Sequence, residues 1–208
     1  MDAADKAVKT FHLFRHGETD WNRNGRLQGQ SDIPLNDTGR AQARAIAERF
    51  AVNSASRRID VILTSDLSRA YETAAIVAQE RVPLVRRAGL RETNLGEAEG
   101  RTWEEVQSLF GEELAARWRS WLPGDIDVSF PRGETGTQVI ERVFKTLEDF
   151  AKSTPYARIG VATHGGVIRR ILQKLEPATN EHFLIPNGSL FEIRRDPRDG
   201  WSLCKRPL

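Results

Sequence analysis

Apolar and polar positions alternate between two rhythms along the chain. Short β-favouring runs, "KTFHLF" at 9–14, "IDVILTS" at 59–65 and "RIGVATHGG" at 158–166, end abruptly on polar residues and read as strands. The second is apolar enough for burial on both faces. Between them lie stretches with helical spacing. "LNDTGRAQARAIAERF" starts from Asn36 or Thr38 as N-cap and turns Ala41, Ala45, Ile46 and Phe50 inward. "DLSRAYETAAIVAQE" is the next helix, and Pro83 stops its extension before the short "PLVRRAGL". Two capping boxes, Thr102 with Glu105 and Thr135 with Gln138, open "WEEVQSLF" and "VIERVFKTLEDF"; in the second of these helices Val139, Val143, Leu147 and Phe150 share one face. "VIRRILQKL" follows His164 and its two glycines, and "SLFEIRRD" with "WSLCK" closes the chain as a hairpin.

Strands alternating with helices predict an α/β fold, a three-layer α/β/α sandwich whose central sheet is mostly parallel. No fixed-period repeat, low-complexity tract or flexible linker divides the chain, so residues 1–208 read as one domain. Within it, a helical insertion at about 101–132, rich in Trp and charge, could cover something; Trp103, Trp118 and Trp121 there read as packing residues. The loop from His16 to Pro34 is long for a connection without structure of its own, which marks it as functional or mobile.

Composition narrows the function classes. With 208 residues and 39% hydrophobic content the chain can bury a sizeable core. Its 31 Lys plus Arg against 29 Asp plus Glu give no basic field for nucleic acid. One cysteine, Cys204, excludes an intrachain disulfide and a multi-thiolate metal site and suits a reducing compartment. "MDAADKAVKT" lacks a signal peptide's apolar core, and no apolar run approaches the ~20 residues that span a bilayer. A cytoplasmic protein without membrane partners is expected; oligomeric state is left open.

In parallel sheets ligands sit beyond the carboxyl ends of strands, and His16, Ser65 and His164 each follow such an end. Arg15 with His16, Arg69 and His164 would therefore meet at one rim. Two guanidiniums and two imidazoles suit a tetrahedral dianion, which points to a phosphoryl group. A neutral His16 could also attack phosphorus, and neighbouring guanidiniums would keep it neutral by lowering its pKa. No H-x-H or H-E-x-x-H spacing is present and clustered arginines repel cations, so no metal or cofactor is expected. Plainer readings exist for single residues. Arg69 could pair with Asp66 or Glu72 on its own helix. His12 and His182 read as ordinary hydrogen-bonded or surface histidines, and Arg58, Arg86, Arg87, Arg169 and Arg170 as surface charge, although Arg86 or Arg87 could reach an acidic substrate.

"FRHGETDWN", "LTSDLSRAYETA", "LRETNLGEAEG" and "ATHGG", in that order over most of the chain, resemble the histidine phosphatase superfamily, also called phosphoglycerate mutase-like. The resemblance implies that His16 takes the phosphoryl group while Arg15, Arg69, His164 and Asn22 hold its oxygens. It implies Glu92 as proton donor to the leaving oxygen, with Glu18 as the alternative, and Glu134 as a substrate-binding position. Gly17, Gly165 and Gly166 would give backbone room beside the phosphate. Ala98 departs from the family pattern, where an aromatic residue is common, and would thin a pocket wall. No counterpart of the mutases' additional basic segment lies between Gly96 and Gly133. A metal-independent phosphomonoesterase acting on a small phosphorylated metabolite through a phosphohistidine is therefore expected. Phosphoglycerate mutase-type transfer is the runner-up, and a non-catalytic phosphate-binding protein the third reading.

Overall fold

Phe11, Leu13 and Phe14 expose no surface, because the strand that carries them, β1 (Lys9–Arg15), lies inside a six-stranded sheet. The computed structural model describes residues 7–51, 58–120, 122–177 and 185–205. The other strands are β2 (Val61–Thr64), β3 (Leu84–Arg86), β4 (Arg158–Thr163), β5 (Leu190–Asp196) and β6 (Gly200–Lys205), in the order β3-β2-β4-β1-β5-β6. From β3 to β1 all neighbours are parallel. The closing hairpin adds the two antiparallel pairings, β1 with β5 and β5 with β6.

The helices are α1 (Asp20–Arg23), α2 (Asp37–Ala51), α3 (Ser68–Ala78), α4 (Trp103–Phe110), α5 (Glu112–Arg119), α6 (Gly136–Ser153) and α7 (Gly165–Leu175). Side chains alternate across each strand and so feed two cores. Phe11, Leu13, Val61, Leu63, Ile159 and Val161 pack against α6 and α7 through Val139, Val143, Leu147, Ile168 and Ile171. Phe14, Ile62 and Ala162 pack against α2 and α3 through Ile46, Ala74 and Val77. Three layers result, as the alternation of elements requires. Both capping boxes close in the predicted registers, Glu105 N–H on Thr102 and Gln138 N–H on Thr135.

Several local expectations are corrected. The loop after His16 contains α1, which is closed by a capping box of Thr19 and Asn22. Helix α2 is capped by Asn36, whose Oδ1 accepts the Gly39 N–H at 2.8 Å; Thr38 lies inside the helix. Its inner face is Ala43, Ile46, Ala47 and part of Phe50, while Ala41 and Ala45 are exposed, since alanines scattered around a helix say little about its phase. Helix α3 ends at Gln79 in the left-handed conformation (φ 48°), before Pro83, whose carbonyl already accepts from Ile62 in the β2–β3 pairing. The 101–132 stretch forms α4 and α5 over a small core of Leu95, Ala98, Val106, Ala115 and Phe130. Trp121 and His182 lie outside the described residues. Arg169 and Arg170 are not surface charge: Arg170 is buried, and Arg169 donates to the Ser120 carbonyl beneath Trp118. Burial, together with Arg170 and Arg119, pulls the Arg169 pKa down to about 10. Arg86, by contrast, is exposed and stacks on Tyr71.

Leu147 sits at the centre of the α6 core with no exposed surface, whereas Leu109 on α4 is 52% exposed. Leu147→Ala should lower stability by about 2–5 kcal/mol. Leu109→Ala should stay within about 0.5 kcal/mol. Urea unfolding checks both, and the Leu147 variant should shift the midpoint without changing the slope.

Candidate active site

The pairing of β1 with β4 is parallel and places Arg15 opposite Thr163. The next residue of each chain segment is a histidine, so His16 and His164 emerge side by side, with ring centroids 5.1 Å apart and planes at 61°. The His16 N–H donates to the Thr163 carbonyl at 3.0 Å, which carries the pairing one step past the strand end. Strand β2, on the other side of β4, ends at Thr64, and past the buried Ser65 the chain turns into α3, whose second residue is the wholly buried Arg69. Thr73 Oγ1 accepts the Gly17 N–H at 3.1 Å and donates to the Arg69 carbonyl at 2.7 Å, which locks α3 to the His16 loop.

His16 has a defined tautomer. Its Nδ1 lies 2.6 Å from the Gly17 carbonyl, which can only accept, so Nδ1 carries the proton and Nε2 keeps its lone pair. Arg69 Nε donates to that Nε2 at 3.3 Å. Burial, followed by the charges of Arg15 and Arg69, holds the His16 pKa well below the usual imidazole value against the raising effect of the Gly17 carbonyl. Desolvation is thus the larger cause, ahead of the guanidiniums invoked from the sequence. His164 is wholly buried and neither of its ring nitrogens has a hydrogen-bond partner. Burial and then Arg69, His16, Arg15 and Arg142 lower its pKa well below the ordinary value. Arg15 donates from Nη1 to the Ile185 carbonyl at 2.6 Å and leaves its buried Nε unpartnered.

Arg69 is held by carbonyls of the loop before α2, Ser31 at 2.8 Å and Gly29 at 2.7 Å. It does not pair with its helix neighbours, because Asp66 binds Arg91 at 2.6 Å and Glu72 binds Arg40 at 2.7 Å. That loop is gripped in turn by Glu99, whose carboxylate accepts from Gln30 N–H, Ser31 N–H and the Ser31 hydroxyl. A Cβ on Gly29 would lie 2.1 Å from the Glu99 carboxylate, and its φ of +51° also favours glycine.

Above this cluster opens a cleft of about 140 Å³, lined by Arg15, His16, Asn22, Arg69, Glu92, Gly166 and, further out, Arg26, Leu27, Leu95 and Trp118. Glu92 reaches it with Oε1 accepting from Thr93 N–H at 2.8 Å and Oε2 from the Gly166 N–H at the start of α7 at 2.9 Å. A Cβ on Gly166 would stand 2.3 Å from that carboxylate, so this glycine makes room for Glu92. Gly17 makes room for the Gly39 carbonyl, 2.2 Å from where its Cβ would be, and Gly165 packs on the Arg15 guanidinium. The glycines therefore admit protein neighbours, and Gly166 also lines the cleft.

Five predicted residues, Gly17, Glu18, Glu134, His164 and Gly165, are not among those lining the cleft; His164 stands beside the cleft-lining His16 and Gly165 packs on Arg15. Glu18 is bound by the Asn36 amide at 2.9 Å, and Glu134 is bound by Arg142 at 2.7 Å. Ala98 is buried in the core under α4 and α5, in the same cluster as the cleft-lining Leu95 and Trp118. Trp118 packs on Phe130, as expected, and also reaches the cleft.

A family model described as histidine phosphatase superfamily (branch 1) matches residues 11–205. The chain belongs to that superfamily. It is 32% identical over 206 residues to phosphoglycerate mutase-like protein 4 of Arabidopsis thaliana, covering 98% of this chain and 86% of the relative. It is 34% identical over 205 residues to the metal-independent phosphoserine phosphatase of the same plant, covering 95% and 83%. A solved mycobacterial glucosyl-3-phosphoglycerate phosphatase in complex with VO3 superimposes with a TM-score of 0.77 at 29% identity, over 89% of this chain and 92% of that one.

In this histidine phosphatase superfamily enzyme, sequence reading missed Asn187, whose amide donates to the His16 carbonyl at 3.0 Å and to Asn22 Oδ1 at 3.2 Å. It missed Arg142 and Glu99 too, because nothing local distinguishes a buried clamp from an ordinary helix or loop charge. Among the described residues no group of three or more His, Cys, Asp or Glu could hold a metal, and no helix is long and apolar enough to cross a membrane.

The two depressed histidines make stability depend on pH. Below the ordinary value of about 6.5, unfolded chains take up protons on these rings that the native state refuses, so stability is full above that pH and falls as acid is added. Each ring contributes a slope of up to about 1.4 kcal/mol per pH unit until its native pKa is reached. Urea unfolding between pH 7 and 5 should therefore fall less steeply for His164→Gln than for the unaltered chain; parallel profiles would remove this assignment.

Proposed function

We propose that the protein is a metal-independent phosphomonoesterase that works through a phosphohistidine on His16. The carrying observation is the fixed tautomer of His16, whose Nε2 lone pair meets Arg69 beside the unpartnered nitrogens of His164 and Arg15. A phosphoryl group entering the cleft would take the donors these side chains offer. The Arg69 Nε–H would pass from His16 to a phosphoryl oxygen and free the lone pair for attack. In the first step the Nε2–P bond forms, the P–O bond to the leaving alcohol breaks, and the Glu92 carboxyl gives its proton to that oxygen. In the second, water oxygen bonds to phosphorus, the N–P bond breaks, and the water proton goes to Glu92. The Nδ1–H on the Gly17 carbonyl stabilises the positive charge that develops on the ring in between.

Arg15, Arg69, His164 and the Asn22 amide are assigned to the phosphoryl oxygens. Glu92, at the cleft, is preferred to Glu18 as proton donor because Glu18 is tied to Asn36. The metal-independent phosphoserine phosphatase and the phosphatase holding VO3 among the relatives support this reading, since VO3 presents oxygens as a phosphoryl group does.

Inorganic phosphate release should be measured in EDTA from an aryl phosphate, phosphoserine, 3-phosphoglycerate and several sugar phosphates. Turnover of at least one is expected. Turnover lost in chelator and restored by a divalent ion would refute the metal-independent mechanism. Isomerised 3-phosphoglycerate without phosphate release would make the protein a mutase, and no reaction at all would leave a phosphate-binding protein.

His16→Ala should remove nearly all turnover. Glu92→Gln should cost about 10²–10⁴-fold on alkyl phosphates, whose leaving oxygen needs a proton, and far less on aryl phosphates. Equal losses on both would take the acid role from Glu92.

A further inference from the structure

Glu92 lies in a segment with little regular structure of its own. Past the short 3-10 turn Ala88–Leu90, the chain to Asn94 is held by Asp66 on Arg91, by the Gln30 amide on the Glu92 carbonyl, and at more points by one side chain of α6. Arg142 engages all five of its N–H donors. Nη1 donates to the Gly89 carbonyl at 2.9 Å and the Arg91 carbonyl at 2.8 Å, and Nη2 to the Glu92 carbonyl itself at 3.0 Å. Nε and Nη2 complete a bidentate pair with Glu134 at 2.7 and 3.0 Å. Glu134 then accepts the Asn94 N–H at 2.8 Å, and its own N–H donates to the Asn94 carbonyl at 2.8 Å. One ion pair thus grips the segment at Gly89, Arg91, Glu92 and Asn94, and neither partner lines the cleft.

We propose that Glu134 and Arg142 are positioning residues for proton transfer: their ion pair fixes the Gly89–Asn94 backbone so that the Glu92 carboxyl is aimed at the leaving oxygen. The proposal rests on Glu92 being the proton donor. The carboxylate at the far end of that backbone has only two anchors, the N–H groups of Thr93 and Gly166. One of them, Thr93, belongs to the gripped segment itself, so a backbone shift there would carry that anchor and the carboxyl with it. Nucleophile and phosphate cradle come from β1, α3 and β4; the gripped segment meets them through Thr163 Oγ1, which donates to the Leu90 carbonyl, and through the Gln30 amide, which donates to the Glu92 carbonyl. Variants that keep the Arg142 charge facing His164 should therefore act chiefly on the acid.

Glu134→Gln keeps size and shape but turns one acceptor oxygen into a donor, which must then face either an Arg142 N–H or the Asn94 N–H. The test compares kcat/KM on an alkyl and an aryl phosphate for the unaltered enzyme, Glu92→Gln, Glu134→Gln and the double variant, each below its melting temperature. Glu134→Gln should lower the alkyl rate on the order of 10-fold to 100-fold, as misplacement of about 1 Å does, and leave the aryl rate close to its starting value. It should add little on top of Glu92→Gln, since two changes acting on one step do not multiply. Arg142→Lys, which keeps the charge and loses the five-donor fork, should reproduce the same alkyl-to-aryl split and replaces Glu134→Gln if that variant does not fold. Equal losses on both substrates, or losses that multiply in the double variant, would overturn the proposal and leave the pair a purely structural one. A Glu92→Gln variant with no split would overturn the acid assignment itself. A split for Glu92→Gln with none for either clamp variant would overturn the clamp alone.

Discussion

The in-register parallel pairing of β1 with β4 is the contact on which the rest depends. Its interior, with Phe11, Leu13, Ile159 and Val161, is the floor of the larger core, and its ends carry the two buried histidines. A slip of one residue would move Phe14 and Ala162 to the wrong face and separate His16 from His164, so packing and chemistry specify the same register. Burial on both faces enforces it more strictly than hydrogen bonds alone could, because a slip would expose apolar surface on both sides of the sheet at once.

Positive charge gathered at that point has to be held without being neutralised. Arg69 is wholly buried, and burial lowers the pKa of both Arg15 and Arg69, with Glu92 opposing the shift. No carboxylate hydrogen-bonds to Arg15 or Arg69 among the described residues. Instead the guanidiniums lean on carbonyls, Ile185 for Arg15 and Gly29 and Ser31 for Arg69, which satisfy donors geometrically while leaving the net charge in place. The two imidazoles respond to the same field by staying neutral. Fixed donors and uncancelled positive charge are what the proposed binding of a dianion would require.

Carboxylates that look like candidates for chemistry serve mainly as fasteners. Glu99 holds the loop whose carbonyls orient Arg69, and Glu134 holds Arg142, which holds the backbone of Glu92. Charged groups fixed by other charged groups lose little mobility when substrate arrives, which is what preorganisation requires.

Much of this was legible in the chain alone. Strand and helix alternation, both capping boxes, the inner face of α6, and the placement of Arg15, His16 and His164 at strand ends and of Arg69 in the first turn of α3 follow from period, propensity and topology, all of which are local or nearly so. The phase of α2, the end of α3 at Gln79, the burial of Arg170 and the docking of Arg169 on the Ser120 carbonyl were not, because small or amphipathic side chains carry weak signals that packing overrides. Glu134 and Glu92 look alike as sequence, each an acid beside a threonine in a polar loop. Only the fold separates them, by setting Arg142 against one and the cleft against the other, since the partner of a charge is chosen by three-dimensional distance and not by neighbours in the chain.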